Sequence, residues 1–185
     1  MKNIFSYLAA PIPRTPLEEL LTDLGCRYKR KSNGIIVVQG DLSLARRNLT
    51  ELPDLSQVVV TGMFSCSGNK LTSLKGAPLS VGASFYCFSN QLTSLEGGPQ
   101  SVGGSYSCDN NQLTSLKGCP ASVGHTFSCN SNRLTSLEGG PQSAGWEYIC
   151  ENNFLVSLKG APRRVNFFHA GENPLRSLAG APEGF

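Results

Sequence analysis

The chain has 185 residues, a length for one domain or one small domain with an appendage. Hydrophobic residues make up 39% and charged residues 16%, and no run of 18 apolar residues argues for a membrane-spanning helix. The 20 Gly and 11 Pro are too few for collagen, and a net charge of +3 neither demands nor forbids a nucleic-acid partner.

The chain opens with MKNIFSYLAAPIPR. Its apolar run from Ile4 to Ala10 is short, is interrupted by Ser6 and Tyr7, and is followed at once by Pro11 and Pro13. It is expected to be mature protein and not a signal peptide, which places the protein in the cytoplasm. TPLEELLTDL then carries a complete helix start: Thr15 as N-cap, Pro16 at the first helical position and Glu18 closing a capping box. Leu17, Leu20, Leu21 and Leu24 form one apolar face, and Gly25 ends the helix. CRYKRKSNGIIVVQ reads as a hairpin with Asn33-Gly34 as a two-residue turn. Residues 1–39 are expected to form a small α+β cap over the open end of the segment that begins at residue 40.

Residues 40–185 repeat one unit. The first Leu of each LxxL falls at Leu49, Leu71, Leu92, Leu113, Leu134, Leu155 and Leu175, at spacings of 22, 21, 21, 21, 21 and 20. An Asn stands two places earlier in every unit but the first, which has Arg47. About seven units at this period predict a solenoid. In GGSYSCDNNQLTSL, Tyr106 and Cys108 alternate with Ser105, Ser107 and Asp109, a short strand with one face buried. Stacked coils set these strands in a parallel sheet on the concave side, about 4.8 Å apart. The Gly- and Pro-rich remainder is expected to be an extended, turn-like convex return with no room for a helix. The buried Asn should form a ladder, since it is tolerated inside only with partners. Lys75, Glu96, Lys117, Glu138 and Lys159 follow the LxxL with alternating sign, which avoids a column of like charge.

Cys66, Cys87, Cys108, Cys129 and Cys150 occupy one position of this unit, as packing residues do, and no CxxC pair suggests zinc. Disulfides, metal and cofactor are not expected. His125 precedes a strand at a position held elsewhere by Gly62, Ala83 and Gly104, and His169 lies on the concave face; neither has the neighbours of a triad or ligand set. No GxGxxG, GxxxxGK[ST] or HExxH is present. A non-enzyme is expected.

Binding is then left to the surface. The register puts Met63, Tyr86, Phe88, Asp109, Asn130, Glu147, Ile149, Glu151, Phe167 and His169 on the concave face, where large apolar side chains among small polar ones mark a protein contact. Tyr86 and Phe88 packing on each other or on the N-terminal piece is the alternative. Arg27, Lys29, Arg30 and Lys31 form a basic run, either a solvated edge or a contact for nucleic acid or an acidic partner. The last unit has no visible cap and ends in Phe185, which suggests a homodimer paired through the C-terminal end, unless GAPEGF folds back as a minimal cap.

The pattern FxCxxNxLTSLxGxP, with SVGG between units, resembles the leucine-rich repeats of small bacteriophage and prophage proteins, over about residues 36 to 183. The segment GDLSLARRNLTELP resembles their opening unit. This implies a leucine-rich-repeat solenoid and an accessory protein made inside a bacterial host. The expected function is non-catalytic protein binding, as an inhibitor of a host enzyme or of a defence system such as a restriction or CRISPR nuclease. A virion structural or assembly protein, and a nucleic-acid-associated protein acting through the basic hairpin, stay open as alternatives.

Overall fold

The computed structural model of the protein describes residues 14–184. Phe185, invoked above for end-to-end pairing, and most of the opening segment lie outside the described residues. Helix α1 spans Pro16–Asp23. The Thr15 hydroxyl accepts from the Glu18 N–H at 3.4 Å, and Glu18 Oε2 accepts from the Thr15 N–H at 2.9 Å, so the capping box closes as expected. Leu21 is fully buried, with Leu17 and Leu24 packed beside it.

Strands β1 (Arg27–Arg30) and β2 (Ile36–Gln39) pair antiparallel. The connection differs from the expected Asn33-Gly34 turn. Lys31 N–H donates to Ile35 O, and Gly34 N–H to Lys31 O, leaving Ser32, Asn33 and Gly34 in a three-residue loop. Gly34 takes the left-handed position, with φ of 86°, as such a loop requires.

The solenoid has two parallel sheets. The front sheet joins β3 (Leu42–Ser43), β5 (Phe64–Ser65), β7 (Phe85–Tyr86), β9 (Tyr106–Ser107), β11 (Phe127–Ser128), β13 (Glu147–Ile149) and β14 (Phe167–His169). These seven strands bracket six turns of chain. The return side is extended, as expected, and it also pairs. There β2 runs parallel to β4 (Val58–Val60), followed by β6 (Ser80–Val81), β8 (Ser101–Val102), β10 (Ser122–Val123) and β12 (Ser143–Ala144). The second hairpin strand is thus the first rung of this back sheet, and cap and solenoid share it.

Two left-handed corners per coil keep most strands to two residues. One precedes the ladder Asn, at Ser89, Asn110, Ser131, Asn152 and Glu172, all with φ between 52° and 55°. The other falls on a glycine after the LxxL, Gly118 for example, with φ of 95°.

Between the sheets lie columns of like residues. Phe64, Phe85, Tyr106, Phe127, Tyr148 and Phe168 stack with ring centroids 4.9 to 5.8 Å apart, a spacing that adds ring–ring attraction to burial. The five periodic cysteines are free and buried, as expected. The thiols of Cys87, Cys108, Cys129 and Cys150 each donate to a carbonyl of the next coil at 3.3 to 3.5 Å. The Asn ladder is present. Asn111 Nδ2 donates to Cys108 O in its own coil and to Cys87 O in the one before, while its Oδ1 accepts from Leu92 N–H. Of the alternating charges, Glu96–Lys117 and Glu138–Lys159 close to 2.7 and 3.0 Å, exposed on both sides. At the far end Leu178 is 59% exposed where Leu158 is 0%. Beyond it the tail folds back: Pro182 is buried and Glu183 N–H donates to Arg163 O.

Candidate interaction face

Alternation along each front strand sends one set of side chains inward and the other to the surface, which carries the ten expected contact residues. Met63 is half-buried, and its N–H is held by Asp41 Oδ1 at 2.7 Å. Tyr86 and Phe88 are also half-buried and pack on each other, rings 6.1 Å apart and tilted by 60°. Beside them Ser65 and Ser67 are themselves buried and share a 3.0 Å hydroxyl contact. This end of the face is closed over by its own side chains.

Asp109 is engaged by the sheet. It accepts from Ser107 Oγ at 2.8 Å, Ser128 Oγ at 2.6 Å and Asn130 N–H at 2.7 Å. Asn130 Oδ1 in turn accepts from Glu151 N–H at 2.9 Å. These two side chains tie neighbouring coils together; Asp109 has little accepting capacity left, while the Asn130 amide nitrogen makes no hydrogen bond among the described residues.

The far end is different. Glu147, Ile149 and Glu151 sit in one coil, with Phe167 paired beside Glu147 and His169 beside Ile149 in the next. Phe167 and His169 are exposed. Sequence reasoning missed the residue that completes this corner. Trp146 is 43% exposed, meets Phe167 edge to face at 5.0 Å, and stacks with His125 at 6.2 Å. The signal was available: the only Trp of the chain falls in the column of Gly62, Ala83 and Gly104. His125 Nδ1 lies 3.1 Å from Thr126 Oγ1 and 3.5 Å from Ser105 Oγ.

The basic run lies at the opposite end of the stack, so the two expected surfaces are separate. Arg30 Nε and Nη2 fork onto Glu18 at 3.1 and 2.9 Å and so belong to the cap. The Thr15 N–H first, then the Thr15 hydroxyl and Arg30, hold the Glu18 carboxyl below the usual range, against the opposing effect of burial. Arg27, Lys29 and Lys31 are exposed, the first two on an outermost strand.

For other chemistry, a trough of about 520 Å³ crosses the back sheet, lined by residues such as Val81, Ser101, Gly103 and Ser122 and by no titratable side chain. The buried thiols are poor nucleophiles, since burial pushes Cys66 and Cys150 up to about 12 and Cys108 well above its ordinary value. Among the described residues, no three His, Cys, Asp or Glu side chains converge to hold a metal, and no helix is long and apolar enough to cross a membrane. The fold defines a parallel β-solenoid of leucine-rich-repeat-like coils, with a rigid outward sheet as its principal surface. No family model matches the chain, and neither the curated proteins nor the solved structures include a significant match to it.

Proposed function

We propose that this is a non-catalytic protein-binding module that engages its partner with the outward face of the front sheet. The observation that carries this reading is the corner of Trp146, Glu147, Ile149 and Phe167. Trp146 and Phe167 stand exposed beside half-buried Ile149, on a sheet whose other outward positions are small or polar or, like Met63, Tyr86 and Phe88, half-buried towards the opposite end. The resemblance of the repeats supplies the setting: a phage-encoded accessory protein in the cytoplasm of a bacterial host, inhibiting a host enzyme or a defence system such as a restriction or CRISPR nuclease.

Capture from bacterial lysate, read by mass spectrometry, tests this. The protein should retain one host protein, and Glu147→Ala with Glu151→Ala should release it while leaving the fold intact by circular dichroism. Tyr86→Ala with Phe88→Ala should matter less, because those rings pack on each other.

A second reading rests on the exposed Arg27, Lys29 and Lys31, which would meet nucleic acid or an acidic partner. Capture that survives the front-face substitutions and is lost on neutralising these residues would select it. Assembly through the C-terminal end, as a homodimer or within a virion, draws support from exposed Leu178 and is opposed by the folded-back tail. A monomer at high micromolar concentration in sedimentation would remove it.

A further inference from the structure

Each surface column of a solenoid is sampled once per coil, so the chain carries its own standard of comparison. One coil departs from that standard along its front strand and the bend that follows it. Trp146, Ile149, Phe154 and Val156 stand where the coil before has His125, Ser128, Arg133 and Thr135. Trp146, Phe154 and Val156 are 43%, 57% and 47% exposed. The core does not require them, because the same coil fills it with Tyr148, Cys150, Leu155 and Leu158, all at 0% exposure.

Charge points to what covers this coil. The outward positions of the front face hold Asp41, Asp109, Glu147 and Glu151 and neither Lys nor Arg, in a chain of net charge +3. Asp41 and Asp109 are taken up by donors of the sheet. Glu147 and Glu151 form no ion pair among the described residues. They flank Ile149 on one strand face, and four residues of extended chain set them about 13 Å apart. That is too far for one cation to bridge. It is the separation of two side chains four residues apart on an extended segment, with an apolar side chain between them.

We propose that this coil binds an extended, cationic segment of a partner protein, of the pattern Arg-x-Leu-x-Arg. The proposal rests on the reading of the protein as a binding module. Each guanidinium meets one carboxylate, the central apolar side chain covers Ile149, and the arginine beside Glu147 stacks on Trp146 or Phe167. Arginine suits this site better than lysine because its plane both stacks on an aromatic ring and forks onto a carboxylate.

Trp146 is the only tryptophan, so its fluorescence reads the site directly. The probes are a blocked Gly-Arg-Ala-Leu-Ala-Arg-Gly peptide and its counterpart with Glu for Arg, titrated into the whole protein at low salt. The arginine peptide should shift or quench the emission saturably, and added salt should weaken it. Glu147→Gln and Glu151→Gln should each lower affinity by about fivefold. Glu138→Gln, whose carboxylate pairs with Lys159, should change nothing, and the acidic peptide should not bind. Binding that is undiminished in the double glutamine variant, an unchanged emission, or preference for the acidic peptide would overturn the proposal. If the peptide fails while lysate capture is still lost on Glu147→Ala with Glu151→Ala, the cationic specificity falls and the binding module stands. If capture also persists, both fall.

Discussion

Tyr106 and Tyr148 carry the only hydroxyls in the aromatic column, and both hydroxyls are buried without a hydrogen-bond partner among the described residues. Each lies against a glycine of the coil before: a Cβ added at Gly140 would sit 2.7 Å from Tyr148 Oη, and one at Gly98 would sit 3.4 Å from Tyr106 Oη. The coils that feed phenylalanines carry Ala77, Cys119 and Ala161 there instead. Tyrosine and glycine are therefore one packing choice, made in alternate coils. Gly140→Ala alone should destabilise by about 1–3 kcal/mol through overpacking. Tyr148→Phe should be neutral or stabilising by up to about 1 kcal/mol, since it removes an unsatisfied polar atom. Together they should cost less than the sum, as a urea-denaturation cycle will read. A loss on Tyr148→Phe alone would contradict this account. The cysteines give a pH dependence. Burial holds Cys66 and Cys150 up to about 12, against an ordinary 9.0 in the unfolded chain. The folded state thus keeps protons that the unfolded state releases. Stability is full below about pH 9 and falls as pH rises towards 12, by about 1.4 kcal/mol per pH unit for each thiol. Urea midpoints at pH 7.5 and 10 should therefore separate widely; a flat profile would mean that the thiols are not buried.

At the scale of the element, each coil is held by its Asn and its two corners. Asn111→Ala would leave the buried Leu92 N–H without its side-chain acceptor and remove one of two side-chain donors from each of Cys87 O and Cys108 O, which keep Asn90 and Asn132. A cost of about 2–3 kcal/mol is expected. Asn173→Ala, in the partly exposed last coil, should cost clearly less, and equal losses in denaturation would show that the ladder is not the source. The Asn position, the LxxL and the front strands were legible because each repeats with a chemistry that has few other uses. The back sheet was not: a two-residue strand such as Ser101–Val102 has no alternation to read, although Val81, Val102 and Val123 did recur at the repeat period. The hairpin loop was misjudged by one residue because Asn-Gly fits either loop, and the choice lies in the Lys31–Ile35 pairing. On the candidate face the register named the outward residues, yet it could not tell that Asp109 would be taken up by its neighbours. Ser107 of its own coil and Ser128 and Asn130 of the next do that, and the last two reach it only in three dimensions.

The whole molecule is a stack in which each coil covers the next, so its surface is free to vary while its core repeats. Most of that surface is uniform. The coil from Trp146 to Val156 is where it changes, and the aromatic and acidic groups gathered there give the binding reading its location. The basic strand at the other end and the back sheet are the surfaces that compete with it. Site-resolved photo-crosslinking compares them directly, with a benzophenone amino acid placed in turn at Ile149, Lys29 and Ser101 and the protein exposed to host lysate. The account predicts one dominant protein adduct from Ile149 and little from Lys29 or Ser101. Adducts from Lys29 alone, or crosslinks from it to nucleic acid with none at Ile149, would contradict it.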